Sequence, residues 1–97
     1  MFCYKVHQVP EKKDVVLAIC DQELSGKLIR KNPPFKVSEK FYGENACSKE
    51  EILEKMKGCT IINIVGKRIV EFCIERNFIT RKNVILIGDI PHAQIVK

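Results

Sequence analysis

Thr60-Ile61-Ile62-Asn63-Ile64-Val65-Gly66-Lys67-Arg68-Ile69-Val70 is the stretch on which the architecture turns, because two periodicities overlap in it. Its β-branched residues ask for a strand. Val65, Ile69, Val70 and Cys73 recur at helical spacing, so a helix has to be running by about Gly66. A short strand at Thr60–Ile62, with Asn63 capping a helix that ends near Asn77, satisfies both. A glycine inside such a helix costs about 1 kcal/mol relative to alanine, so a close packing contact is expected at Gly66.

Working upstream, Ser48-Lys49-Glu50-Glu51 has the S-x-x-E form of a capping box. The Ser48 hydroxyl can accept from the amide of Glu51, and the Glu51 carboxylate can reach back to the amide of Ser48. Ile52, Leu53 and Met56 then share one apolar face, which predicts a helix over Lys49–Lys57, ended by Gly58. Residues 2–9 are rich in aromatic and β-branched types and stop at Pro10, the pattern of a strand. Val15–Cys20 is a continuous apolar run, the pattern of a strand buried on both faces. The short connection between these two favours antiparallel pairing. Asp21 offers an N-cap to a brief turn through Ser25, ended by Gly26. Lys27–Arg30 reads as extended, Asn32-Pro33-Pro34 as a break, and Phe35–Ser38 as another short alternating strand. Phe41-Tyr42-Gly43 reads as a loop carrying two aromatics. Downstream, Val84–Ile87 is a buried-type strand, Gly88-Asp89-Ile90-Pro91 a turn, and His92–Val96 a last strand. The sum is an α+β fold: a mostly antiparallel sheet of five or six short strands with two helices on one face.

A chain of 97 residues suits one domain, spanning residues 1–97. Its 45% apolar content is ordinary for a globular protein and excludes a disordered one. At this size a shallow face, groove or interface is a more natural site than a deep cleft. No segment approaches the roughly 18–20 apolar residues that span a bilayer, and Met1-Phe2-Cys3-Tyr4-Lys5 lacks the features of a signal peptide. A cytoplasmic location with no membrane partner is the expectation. The five cysteines, Cys3, Cys20, Cys47, Cys59 and Cys73, are odd in number and include no CxxC pair, so neither a disulfide framework nor a metal site is predicted. Cys20 and Cys73 lie within apolar patterns and read as small core residues in a reducing compartment. Gly26-Lys27 is no P-loop, and the fingerprints of dinucleotide binding, zinc proteolysis and serine hydrolysis are absent. No cofactor is implied, and no residue is assigned a catalytic role.

Four ordered motifs carry a likeness. They are Val16-Leu17-Ala18-Ile19-Cys20-Asp21-Gln22-Glu23-Leu24-Ser25-Gly26-Lys27, Lys36-Val37-Ser38-Glu39-Lys40-Phe41-Tyr42-Gly43, Asn63-Ile64-Val65-Gly66-Lys67-Arg68, and Ile87-Gly88-Asp89-Ile90-Pro91-His92-Ala93-Gln94. Over nearly its whole length the chain resembles the archaeal domain-of-unknown-function family 424. Asp89 departs from the pattern, which has a second glycine there, and so bears on the geometry of that turn. The resemblance implies an archaeal, cytoplasmic, free-standing small domain with a link to RNA or translation. It implies no reaction, cofactor or catalytic residue.

Net charge is +5, which permits attraction to a polyanion. The densest positive run carries Lys27, Arg30, Lys31, Lys36 and Lys40 against one acid, Glu39. Counterion release would let such a patch bind nucleic acid in a salt-dependent way, unless it is simply a solvated face. Lys67 and Arg68 open the second helix, where cations oppose the helix dipole and call for a phosphate or carboxylate nearby. His92 and Gln94 project from the same side of a strand and together suit a base, a phosphate or a partner carboxylate. Alternatively, His92 bonds to its own scaffold. Tyr42 either stacks on a nucleobase or closes the edge of the core. These residues favour a non-enzymatic module that binds RNA or a ribonucleoprotein. A second possibility is a small enzyme or accessory subunit with His92 as acid–base group and Asp21 or Asn63 orienting it. That requires Asp21, Asn63, Arg68, His92 and Gln94 to gather in one pocket. A third is a protein–protein adaptor working through an exposed sheet edge.

Overall fold

The computed structural model describes all of residues 1–97. Its elements run β1 (Phe2–Val9), β2 (Asp14–Asp21), β3 (Leu28–Lys31), β4 (Pro34–Lys36), α1 (Glu39–Tyr42), β5 (Ala46–Cys47), α2 (Lys49–Met56), β6 (Ile61–Val65), α3 (Lys67–Glu75), β7 (Ile85–Ile87) and β8 (Ile90–Val96). Six strands form a mixed sheet in the order β5-β1-β2-β6-β8-β7, and β3 and β4 form a separate hairpin. The fold is α+β, as the pattern predicts. Every pairing is antiparallel except β2 with β6, whose parallel register needs a long crossover, and α2 lies within it.

Strand alternation sorts the residues onto two faces. Phe2, Leu17, Ile19, Ile62, Ile64 and Ala93 point to the side covered by α2 and α3 and join Ile52, Met56, Ile69, Val70 and Cys73 in the main core. The opposite face carries Cys3, Ala18, Cys20 and Val65, covered by Val37 and Tyr42 with Leu24, Ile29 and Ile90 around them. The β3–β4 hairpin and α1 therefore form a third layer, opposite the two longer helices. All five cysteines are buried and unpaired, and desolvation pushes the Cys20 and Cys73 thiols up to about 12. They are inert packing residues, as the apolar patterns around Cys20 and Cys73 predict.

Several boundaries differ from the sequence reading. The strand expected at Thr60–Ile62 is centred instead on Asn63 and runs to Val65, so Asn63 caps nothing. The β-branched preference carries the strand on to the point where α3 begins at Lys67. Gly66 is not a helix-interior residue but the N-cap, with φ of 129°. A Cβ there would collide with the Asp21 carboxylate, which is the close contact expected of it. Ser48 does cap α2, accepting from the Glu51 amide at 3.2 Å. Phe41 and Tyr42 lie in the short helix α1 rather than in a loop. The last strand starts at Ile90 rather than His92, after a two-residue turn at Gly88-Asp89 with Gly88 at φ of 63°. Pro91 fits inside this strand because its carbonyl faces β6, accepting from Gly66 at 2.9 Å, at a level where β6 has already ended and no proline N–H is needed.

Candidate nucleic-acid interface

Asp21 and Arg68 belong together, at the end of the sheet where the parallel strands β2 and β6 run out. The buried Asp21 carboxylate accepts from the Arg68 amide at 3.0 Å and from the Ile69 amide at 2.9 Å. It thus caps α3 from another strand, rather than the local turn at Gln22–Leu24. Burial pushes this carboxyl up, against the two amides and the Arg68 charge that hold it down. The Arg68 guanidinium grips Glu23 through two nitrogens, donates to the Met1 carbonyl at 2.9 Å, and lies 5.2 Å from the centre of the Phe2 ring. Glu23 is accordingly held below the usual carboxylate range and Arg68 is raised. The anion that this helix start calls for is therefore supplied from within the chain, as a carboxylate and not a phosphate. Arg68 is engaged and does not join a phosphate-binding set. Lys67 is exposed but lies on the helix side, beside Val70, Glu71 and Pro91.

Asn63, His92 and Gln94 lie on the other face. Asn63 pairs with Gln94 across β6 and β8, and Val65 pairs with His92. The five residues that an enzyme reading needs in one pocket are thus split, with Asp21 and Arg68 at the helix start and the other three on the opposite side of the sheet. The His92 ring is half-buried, and desolvation lowers its pKa. Its Nδ1 is closed off with no protein partner, which favours the neutral ring with the proton on Nε2. The scaffold bond considered for His92 is not made through that atom.

Four of the five cations of the positive run make no side-chain ion pair or hydrogen bond: Lys27, Lys31, Lys36 and Lys40 are all exposed and unpartnered. Arg30 donates from Nε to the Pro33 carbonyl at 2.9 Å and lies 6.0 Å from the Phe35 ring centre, stiffening its own hairpin while keeping its charge. All five lie in or next to β3, β4 and α1, and Lys36 and Lys40 line one shallow concavity. Glu39, in α1, and the exposed Glu44 are the acids of this layer, and the neighbouring Glu39 carboxyl raises Glu44.

Tyr42 leaves the candidate set. It is 5% exposed, and burial pushes its hydroxyl up to about 12. Its neighbour Phe41 is 36% exposed and lies 4.7 Å from the His7 ring, the planes within 16° of parallel. His7 fixes this arrangement by donating from Nε2 to the Phe41 carbonyl at 2.7 Å. Sequence reasoning gave no binding role to His7, Phe41 or Lys5, and considered Asn63 only as a helix cap or as the group orienting His92. Their signal was the alternation itself. Lys5 and His7 share a side of β1, and Asn63 is the one polar residue in an otherwise apolar strand.

The largest concavity, 580 Å³, lies on the helix side, where Leu53, Met56, Ile62, Phe78 and Ile95 form an apolar floor. Its rim mixes Glu50 and Glu54 with Lys57, Arg76 and Lys97, so it offers no single-signed field to a polyanion.

The family model described as "Protein of unknown function (DUF424)" matches residues 9–97. The chain belongs to the DUF424 family. No curated protein matches this DUF424 chain. Among solved structures it is similar to an uncharacterized conserved protein from Methanopyrus kandleri, with a TM-score of 0.77 and 22% identity over 97% of this chain and 89% of that one. At that identity the likeness concerns the fold.

Proposed function

We propose that this DUF424 protein is a non-enzymatic module that binds RNA or a ribonucleoprotein in the cytoplasm, through the layer formed by β3, β4 and α1. The observation that carries the reading is the set of exposed, unpartnered cations Lys27, Lys31, Lys36 and Lys40, with Arg30 beside them, on one layer of the molecule. Elsewhere, Arg68 and Arg81 are neutralised by Glu23 and Glu71. Unpaired cations that share a surface release counterions from phosphates on binding, and each contact adds about 0.7 to the salt slope for a single strand.

Titration of the protein into labelled RNA at several salt concentrations tests this. Affinity should fall steeply with salt, and the Lys36→Glu, Lys40→Glu double variant should weaken binding and flatten the slope by about 1.4. Lys67→Glu, on the helix side, should change binding far less. A salt-independent affinity, or equal losses from Lys67→Glu and from the double variant, overturns the reading.

A further inference from the structure

The third layer covers only part of its side of the sheet. Beside it, β1, β2, β6 and β8 present an uncovered strip. Register sets its rows: Lys5–Ala18–Asn63–Gln94 in one, His7–Val16–Ile61–Val96 in the next. Ala18 is buried under the layer, but Lys5 and Gln94 are exposed and Asn63 is half-exposed. Strands about 4.8 Å apart put Asn63 and Gln94 side by side and stretch the row about 14 Å. Neither amide hydrogen-bonds within the protein, so both keep a donor pair and an acceptor free. Val96 is 70% exposed and Val16 and Ile61 are half-buried, so the strip has an apolar floor against which a flat ring can lie. One margin is the parallel His7–Phe41 ring pair. Next to Phe41 in α1 is Lys40, and Lys36 follows closely in the same layer, both unpartnered.

We infer that this strip is a base-reading site for single-stranded RNA, in which Asn63 and Gln94 hydrogen-bond the edge of an unpaired base while the His7–Phe41 pair stacks a neighbouring one. The inference rests on the RNA reading above and names the form of RNA that the site takes. Three features point to an unpaired strand. Free carboxamides next to each other satisfy the paired donor and acceptor positions of a base edge, which in a duplex are already engaged. Aromatic faces stack only on bases that have left a helix. Lys36 and Lys40 line one shallow concavity on the Phe41 side of the strip, so a backbone held there turns its bases over the sheet; a negatively charged chain is what those two cations attract.

The test compares a short single-stranded RNA of mixed sequence with a duplex of the same sequence, in filter binding or fluorescence anisotropy on the full chain. Single strands should bind at least tenfold tighter. Phe41→Ala should cost the single strand roughly five- to a hundredfold in affinity and the duplex little. Asn63→Ala with Gln94→Ala should narrow the difference in affinity among homopolymeric single strands. Thermal melts of each variant check that the fold survives, and the exposed Gln94→Ala serves alone if Asn63→Ala destabilises. Equal binding of both forms, still lost in the Lys36→Glu, Lys40→Glu variant, overturns the base-reading site and leaves the RNA reading standing. No binding of either form overturns both. Unaltered single-strand affinity in folded Phe41→Ala and Gln94→Ala variants likewise overturns the site, and a nuclease-resistant protein partner at the strip would assign it to a protein ligand instead.

Discussion

Ile64 and Asn63 are adjacent in β6 and look out from opposite faces of one sheet. Ile64 is fully buried against the helices, whereas Asn63 is half-exposed beside Gln94. The same contrast runs across the sheet. On the helix side, Leu17, Ile19, Ile62, Ile64 and Ala93 are sealed into a single core. On the other side, sealed apolar residues continue only as far as the third layer reaches, and beyond it the strands present Lys5, His7, Asn63 and Gln94 with the partly exposed Val16, Ile61 and Val96. The helix side holds the main core and the third layer seals a smaller one; the uncovered strip beside that layer is left with hydrogen-bonding capacity that the chain itself does not use.

The sharpest way to break this contrast is to truncate neighbours on the two faces. Ile64→Ala should destabilise by about 2–5 kcal/mol, from lost burial and the cavity left behind. Asn63→Ala should change stability by no more than about 0.5 kcal/mol, as surface positions do. Urea denaturation of both variants measures the difference, and comparable losses would show that the strip around Asn63 is structural as well. Next comes Asp21→Ala, which strips the acceptors from the Arg68 and Ile69 amides at the start of α3. It should lower stability by about 2–3 kcal/mol while leaving RNA affinity unchanged. Arg68→Ala should have a smaller effect, below about 1 kcal/mol, because its ion pair with Glu23 is roughly half-exposed and screened. A drop in RNA affinity in either variant would return the helix start to the binding surface.

The smallest expected effect concerns pH. Burial lowers the His92 pKa below 6.5, its unfolded value, so between the two values the unfolded chain holds the extra proton. His92 therefore subtracts stability as pH falls through 6.5, and the loss levels off once pH is below the folded pKa. Melting temperatures measured from pH 7.5 to 5 should fall less for His92→Gln than for the parent protein. Identical profiles would mean that the imidazole is not desolvated.

The main architecture was legible wherever local pattern and tertiary environment agree. β1, β2 and the Ser48-capped helix α2 follow from apolar periodicity and the S-x-x-E spacing, both of which act over a few residues. The start of α3 was not legible, because its cap comes from Asp21, 47 residues before Arg68 in sequence. No local rule signals a carboxylate delivered by a different strand, and so Asn63 was assigned to a role that Asp21 fills. The positive run from Lys27 to Lys40 was legible as charge; that its hairpin and the short helix after it fold onto one side of the sheet was not, because the contacts of Val37 and Tyr42 with Cys3, Ala18, Cys20 and Val65 are long-range. Which of the two aromatics in Phe41-Tyr42 faces out was not, since adjacent residues in a four-residue helix differ only in which way the turn sets them on the sheet.

The most direct test of the two-faced account is residue-level mapping of RNA on the folded protein. Backbone and side-chain amide NMR shifts would be followed as a short single-stranded RNA is added at low salt. Shifts should concentrate at Lys5, His7, Phe41, Asn63 and Gln94 and along β3, β4 and α1, with α2 and α3 unmoved. Shifts centred on the helices, or none at saturating RNA, would contradict the account.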